Sequence, residues 1–347
     1  MAPVLCPFCA HDAAAAACGE GEVLLLACRN CLNPFLLTSE GGEFRSRPIE
    51  GAPAVEDLVL PGSVMGNVLG SLERALTSLP VLPQVPQRIM AMIYDPLLSM
   101  SELAEVINED PAIAVKVLRV ANSSFYATTK EIKEVSAACA RLGIKAVANL
   151  VMAISSRDLY RTKNQQFLTL MQQMWQQALA TAHCAQSIAG MGTPRCDPDA
   201  AFLAGLTHLI GKLVLFDLIT TKYQGNVGRL KESPELLSRV LEQFYALVGL
   251  HVVLRWQLPP ELCFTTYCHT KPEITPVEKW APLTHVVSLA RACSDAAGFG
   301  REPAGDAPSP CTHPSAVYLK IPEDRLTPVY AELQDRLDPL LQTMSRL

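Results

Sequence analysis

The stretch that decides the fold is EDPAIAVKVLRVANS, residues 109–123. Asp110 is a good helix N-cap, and Pro111 suits the first helical position because it loses no intrahelical hydrogen bond there. Apolar residues then recur at helical spacing, at Ile113, Val117 and Val120. The stretch therefore predicts an amphipathic helix with one face in a core.

Similar start signals recur outward from this stretch. Ser99 and Glu102 form a capping-box pattern, and Asp197 with Pro198 repeats the Asp-Pro start. Strand-like alternation is nearly absent after residue 50, so the fold class is predicted as mainly α with a small N-terminal β module. The predicted parts are a zinc ribbon at 1–45, a linker at 46–70, a helical domain at 71–272, and a helical extension at 273–347 that packs on the helical core and carries a Pro-rich loop at 298–314.

Composition excludes several classes of protein. Hydrophobic residues make up 49% and charged residues 18% of the 347 positions, which is typical of a globular chain with a large core. The net charge of −5 disfavours a strongly basic nucleic-acid binder. No secretory signal precedes the first domain, and the most apolar run, 202–219, contains His208, Lys212 and Asp217. We therefore expect a cytoplasmic protein without a membrane span.

Five of the twelve cysteines lie in the first 31 residues. Two CxxC pairs, Cys6 with Cys9 and Cys28 with Cys31, have the spacing of a zinc ribbon. Four thiolates close a tetrahedral site, so the predicted zinc is structural. His11 or Cys18 could replace one ligand. The module carries two arginines against five carboxylates, which favours protein contact or a purely structural role over DNA binding.

Several runs together resemble the HDOD domain, a helical relative of the HD metal-dependent phosphohydrolases found in bacterial signalling proteins. The resemblance covers about residues 73–272. It is carried by LPVLPQVPQRIMAMIYDP at 79–96, by 99–126, by ARLGIKAVANLVMAIS at 140–155 and by AFLAGLTHLIGKLVLF at 201–216. It implies a compact helical bundle with a regulatory role and, as a rule, no demonstrated reaction.

The resemblance places the His-Asp signature of the hydrolases at His208 and Leu209. Leucine offers no oxygen to a metal, and the other ligand positions fall at Gln177, Tyr245 and Arg291. Catalysis is therefore not expected, since the metal that activates water has no ligand set.

His208, Lys212 and His269 remain as candidates for a remnant pocket that binds an anion or a nucleotide. The alternative is a packed histidine, with Lys212 reaching solvent along its aliphatic stem. The adjacent His183 and Cys184 are expected to pack in the core. A second metal site at Cys263, Cys268 and His269 lacks a fourth ligand.

Three functions follow from these observations. The favoured one is a bacterial signalling protein that acts through a protein partner, with zinc as its cofactor. The second is a divergent phosphohydrolase or nucleotide-binding sensor, which the missing aspartate disfavours. The third is nucleic-acid binding through the ribbon, which the acidic balance disfavours.

Overall fold

The fold is mostly helical, with a small sheet near the N-terminus, which confirms the predicted class. The structure, a computed structural model, describes residues 4–10, 23–28, 33–40, 43–52, 82–93, 95, 97–126, 130–160, 168–192, 196–222, 234–299 and 309–345. The linker residues 53–70 and the loop residues 300–308 lie outside this set, as do all of the first ten residues of the predicted helical domain, 71–80.

The strands are β1 (Val23–Ala27), β2 (Pro34–Glu40) and β3 (Glu43–Pro48). The first seven helices are α1 (Gln84–Met92), α2 (Met100–Asn108), α3 (Pro111–Ala121), α4 (Val135–Leu142), α5 (Ile144–Leu159), α6 (Leu168–Ala189) and α7 (Pro198–Thr207). The others are α8 (Ile210–Lys222), α9 (Pro234–Arg255), α10 (Pro260–Cys268), α11 (Ala281–Ala296), α12 (Pro314–Leu319), α13 (Glu323–Ala331) and α14 (Leu333–Ser345).

The chain forms two compact units, each discontinuous in sequence. One, here called the sheet unit, comprises Met1–Pro80 and His208–Thr284. The other, here called the helical unit, comprises Val81–Thr207 and His285–Leu347. The sequence pattern did not predict this division, because it follows long-range packing rather than linker composition.

In the sheet unit, the strands form an antiparallel meander in the order β1-β2-β3. The sheet confirms a small β module, and β3 runs three residues past the predicted module end at 45. Its sequence EFRSRP has no apolar alternation, and it is a strand because it pairs with β2 along its whole length. β1 also packs against α9 and α10, so the module shares a unit with these helices.

Two glycines let α8 and α9 approach closely in the sheet unit. A Cβ on Gly211 would lie 1.9 Å from the Tyr245 carbonyl oxygen and 2.4 Å from the Gly249 nitrogen. Such contact is possible only without a side chain at Gly211. The crossing thereby places His208 and Lys212, on either side of Gly211, against the face of α9 that carries Tyr245.

In the helical unit, local signals start the helices as predicted. Ser99 accepts from the Glu102 amide at 3.2 Å, and Glu102 accepts in return from the Ser99 amide at 2.9 Å. Asp110 accepts from two first-turn amides of α3 at 2.9 and 3.1 Å. These bonds satisfy amides that the helix itself leaves without partners. The C-terminal helix α14 packs on α3, on α6 and on the 3₁₀ turn Ser124–Tyr126.

Among the described residues, the stretch Pro198–Phe216, which runs from α7 into α8, is long and apolar enough to cross a membrane, with a mean hydropathy of 1.5. Of that stretch, 89% is buried inside the protein. Such burial is typical of a core helix.

Candidate metal centre and histidine pocket

Three of the four predicted metal ligands converge at one end of the sheet. The sulfurs of Cys6, Cys9 and Cys28 all lie within 4.8 Å of one another. Cys6 and Cys28 are 2% and 1% exposed and share a small apolar core with Phe35 and Leu37. Across the described ranges, this is the one group of three or more histidine, cysteine or acidic ligand atoms that could hold a metal ion.

The distances fit a tetrahedral thiolate site. Cys9 Sγ lies 3.6 Å from Cys28 Sγ, and zinc–sulfur bonds of about 2.3 Å at tetrahedral angles place two sulfurs about 3.8 Å apart. The Phe8 amide donates to Cys6 Sγ at 3.5 Å, so the first CxxC loop already wraps its backbone around a sulfur. The cluster could therefore bind a metal ion that prefers sulfur.

The second CxxC loop leads from β1 into β2. Cys28 directly follows β1, and its amide donates to the Asn33 carbonyl at 2.9 Å, which closes the loop. The fourth predicted ligand, Cys31, belongs to this loop and lies outside the described residues, as do the alternatives His11 and Cys18.

The cysteines of the helices have a different character. Burial raises the pKa of Cys184, Cys263 and Cys268 to about 12 and that of Cys139 to about 11. These thiols stay protonated near neutral pH, whereas a metal ligand is a thiolate. Cys263 Sγ donates to the Leu258 carbonyl at 3.4 Å, so this cysteine contributes to the packing of the helices.

The sheet unit brings the three residues of the predicted remnant pocket together. The His208 and His269 rings meet edge to face with centroids 5.1 Å apart, and the two side chains are 0% and 1% exposed. His269 Nδ1 lies 3.0 Å from the Thr266 carbonyl, and its Nε2 lies 2.7 Å from the Tyr245 hydroxyl. Since a neutral imidazole has one donor and one acceptor, the carbonyl fixes Nδ1 as the donor and Nε2 as the acceptor of the Tyr245 proton.

Lys212 extends this buried network. Its Nζ lies 2.6 Å from Glu242 Oε1 and 4.7 Å from the centre of the Tyr245 ring. The alternative in which Lys212 reaches solvent is wrong, because only 9% of its side chain is exposed. Glu242 was not predicted, although it precedes Tyr245 by nearly one helical turn and so shares its face of α9.

The other two positions that the resemblance assigns to metal ligands lie in the helical unit. Gln177 Nε2 donates to Asp295 Oδ1 at 2.5 Å, and Arg291 Nε lies 3.9 Å from Asp295 Oδ2. The single carboxylate of Asp295 thus contacts an amide and a guanidinium. A guanidinium repels a metal cation, so this arrangement does not resemble a hard-metal site.

Comparison with known proteins agrees with this reading of the fold. The sequence model of the HDOD domain matches residues 79–272. An uncharacterized protein of Treponema pallidum (strain Nichols) is 24% identical over 233 residues, which are 65% of this chain and 44% of that protein. The chain thus spans less than half of the length of that curated relative.

Two crystal structures share the fold. One is an HDOD domain protein of unknown function from Geobacter sulfurreducens, with a TM-score of 0.64 at 21% identity, covering 81% of this chain and 98% of the other. The second comes from Marinobacter aquaeolei VT8 and is provisionally assigned to signal transduction. It has a TM-score of 0.63 at 22% identity and covers 90% of this chain and 76% of the other. With more than half of its length matched by the family model, the chain belongs to the HDOD domain family.

Proposed function

We propose that this chain is a bacterial signal-transduction protein that acts through contacts with other proteins and catalyses no hydrolysis. The observation that carries the proposal is Leu209, which is 0% exposed and stands where the hydrolases have the aspartate of their signature. A hydrolytic metal site needs a carboxylate or imidazole at each ligand position, and an aliphatic side chain cannot substitute.

The neighbours of Leu209 support the same conclusion. A metal ion bound at His269 Nε2 would have to displace the Tyr245 hydroxyl at 2.7 Å. A metal ion near Glu242 would face the Lys212 ammonium, which already pairs with the carboxylate at 2.6 Å. The His269 ring and the Glu242 carboxylate are thus already engaged within the protein, which favours a packing role for them over water activation.

The test is a hydrolysis assay on the full chain. Nucleotides and cyclic dinucleotides are incubated with the protein and Mn²⁺ or Fe²⁺, with an active HD phosphohydrolase as the positive control. We expect turnover equal to that of buffer alone. Metal-dependent turnover that disappears in His208→Ala would contradict the proposal and favour a divergent hydrolase.

Nucleotide sensing without hydrolysis is the second candidate, because Lys212 and the two histidines lie together. Lys212 is already paired with Glu242, which argues against an anion there. Isothermal titration calorimetry with cyclic dinucleotides decides between the two. Heat of binding at sub-millimolar ligand that Lys212→Met abolishes would favour the sensor.

We further propose that Cys6, Cys9, Cys28 and Cys31 bind one structural zinc ion. The three sulfurs already gathered within 4.8 Å, and the tetrahedral spacing of two of them, support this. Zinc would supply folding energy to a sheet too small to be stable alone. Metal analysis of freshly purified chain should find about one zinc per protein. A zinc content near zero, with the sheet intact, would refute the assignment.

A cytoplasmic location and a protein partner complete the proposal, and nucleic acid is disfavoured. The partner is sought with the tagged full chain in its bacterial host, and candidates are then purified and mixed with the chain. Coelution from a sizing column at a fixed stoichiometry supports the proposal. A salt-sensitive shift of DNA or RNA by the same chain would favour nucleic-acid binding instead.

A further inference from the structure

The helical unit contains a cavity of about 190 Å³, and none of the residues that line it belongs to the cysteine cluster or to the histidine pocket. Its walls come from α5, α6, α7, the 3₁₀ turn Ser124–Tyr126 and α14. The HDOD match ends at residue 272, whereas α14 begins at Leu333. The C-terminal extension therefore completes a cavity that the matched segment alone would leave open.

The size and walls of the cavity suit one planar ring. An apolar cavity of about 150 Å³ holds a single benzene ring, so this one has space for a ring with small substituents. Phe125 and Phe202 approach the His183 ring edge to face, with centroids 5.3 and 5.2 Å away. Leu179 and Leu340, 0% and 3% exposed, add aliphatic walls. Such a lining favours an aromatic guest through edge-to-face contacts.

The buried polar groups of the cavity have unused hydrogen-bonding capacity. His183 is 8% exposed, and in the described part of the chain its ring nitrogens have no hydrogen-bond partner. Burial, together with the nearby Arg336 charge, lowers the pKa of His183 to about 3, so the ring is neutral and offers one donor and one acceptor. Buried polar groups are normally satisfied, and a ligand that binds here would supply the missing partner.

Asn149 repeats this pattern. It is 3% exposed and donates its amide NH₂ to Asp199 Oδ1 at 2.8 Å, while its own Oδ1 has no partner among the described residues. Gln186 donates to the same Asp199 oxygen at 3.2 Å. Asp199 thus holds both amide groups in fixed orientations, which makes this polar wall of the cavity rigid.

A single cation lies among the described lining residues. Arg336 of α14 is exposed, and its guanidinium donates to Ser187 Oγ at 3.4 Å. Within the described ranges no carboxylate pairs with it. A guanidinium presents a planar fork of donors that matches a carboxylate.

We infer that this cavity binds a small aromatic acid: a single ring against the phenylalanine-lined wall, a carboxylate on Arg336, and a ring hydroxyl or amino group on His183. Such a ligand would contact both α14 and the helices of the HDOD match. The chain would then bind a small molecule in addition to the protein partner of the proposed function.

The test uses 4-hydroxybenzoate with the full chain, by calorimetry and by saturation-transfer NMR. Benzyl alcohol removes the charge, and cyclohexanecarboxylate removes the aromatic ring. We expect the aromatic acid to bind at least about 10-fold more tightly than benzyl alcohol, since a charge-assisted hydrogen bond is worth a factor of about 10 to 100. It should bind about 2- to 10-fold more tightly than cyclohexanecarboxylate, since edge-to-face ring contacts are worth about 0.5–1.5 kcal/mol. Arg336→Gln should weaken binding about as much as removing the charge does. Arg141→Gln, at an exposed arginine of α4 away from the cavity, should leave it unchanged.

Ala146→Phe, which fills the cavity, should abolish binding, and circular dichroism reports whether that variant folds. If it does not, Arg336→Gln carries the test, because its side chain is on the surface. Three results would overturn the inference: no binding at millimolar ligand, equal affinity for the neutral alcohol, or equal affinity in Arg336→Gln. Competition by inorganic phosphate alone, without preference for a ring, would show an anion site instead and would also overturn it.

Discussion

Replacing Gly211 with alanine tests the close crossing on which the histidine pocket depends. The added Cβ would lie 1.9 Å from the Tyr245 carbonyl oxygen and 2.4 Å from the Gly249 nitrogen. Ordinary contacts of this kind exceed 3 Å, and both neighbours are backbone atoms that cannot rotate away. The two helices must therefore separate by about 1 Å or more, which also pulls Lys212 away from Glu242 and Tyr245.

The expected loss of stability follows from two opposing terms. Overpacking costs about 1–3 kcal/mol, and a clash between two backbones belongs at the upper end. Alanine recovers about 1 kcal/mol over glycine through its helix propensity. The net loss is therefore about 2 kcal/mol, which corresponds to a fall in Tm of about 4–8 °C for a unit of this size.

Urea unfolding followed by circular dichroism measures the change. Gly249→Ala is the matched control, because its Cβ would lie 3.0 Å from a side-chain atom, Cγ2 of Thr266, and no closer than 3.4 Å to backbone. We expect that control to lie within about 1 kcal/mol of the unmodified chain, since the gain in propensity offsets the contact. A Gly211→Ala variant as stable as the Gly249→Ala variant would refute the close crossing.

Three further predictions concern the other sites. Cys28→Ser should lower the zinc content to near zero and increase proteolysis of the sheet. The control Cys196→Ser, at a partly exposed thiol, should leave both quantities unchanged. Equal zinc content in the two variants would count against the cysteine site. Glu242→Gln should lower the free energy of unfolding, measured with urea, by about 2 kcal/mol. This is less than the 3–5 kcal/mol typical of a fully buried pair, because the Glu242 side chain is 30% exposed. The double variant Lys212→Met with Glu242→Gln should recover part of that loss. Because burial lowers the pKa of His183 to about 3 against about 6.5 when unfolded, the unfolded chain binds the extra proton between these values. The His183 contribution to stability is full above pH 6.5 and falls as pH decreases toward 3, at up to about 1.4 kcal/mol per pH unit. His183→Gln should therefore show a shallower loss of stability between pH 6 and pH 4, and parallel curves would contradict a buried neutral histidine.

The parts of the fold that were predictable are those encoded by neighbours in sequence. Ser99 with Glu102, and Asp110 with Pro111, carry their helix starts within a few residues, and the structure has the same hydrogen bonds. Cys6 and Cys9 belong to one local turn, as the first CxxC spacing predicts. Local chemistry of this kind needs no knowledge of the tertiary fold.

The features that were missed depend on distant residues. β3 is a strand through its pairing with β2, and its own sequence alternates no apolar side chains. Lys212 is buried because Glu242, 30 residues away, supplies the countercharge. The cavity joins Phe125 to Met344, which are more than 200 positions apart. None of these contacts can be predicted from the spacing of residues that are close in sequence.

The packing of β1 on α9 and α10 has a consequence for how the chain is made. Residue 28 leaves the ribosome about 240 residues before α10 is complete at Cys268. At about 5–20 residues per second, this interval is about 12–48 s. Throughout it the nascent sheet lacks the helices that cover it, and a module of this size has little stability of its own. During synthesis, a metal ion at the cysteines would be the earliest partner that could protect these strands from aggregation and proteolysis.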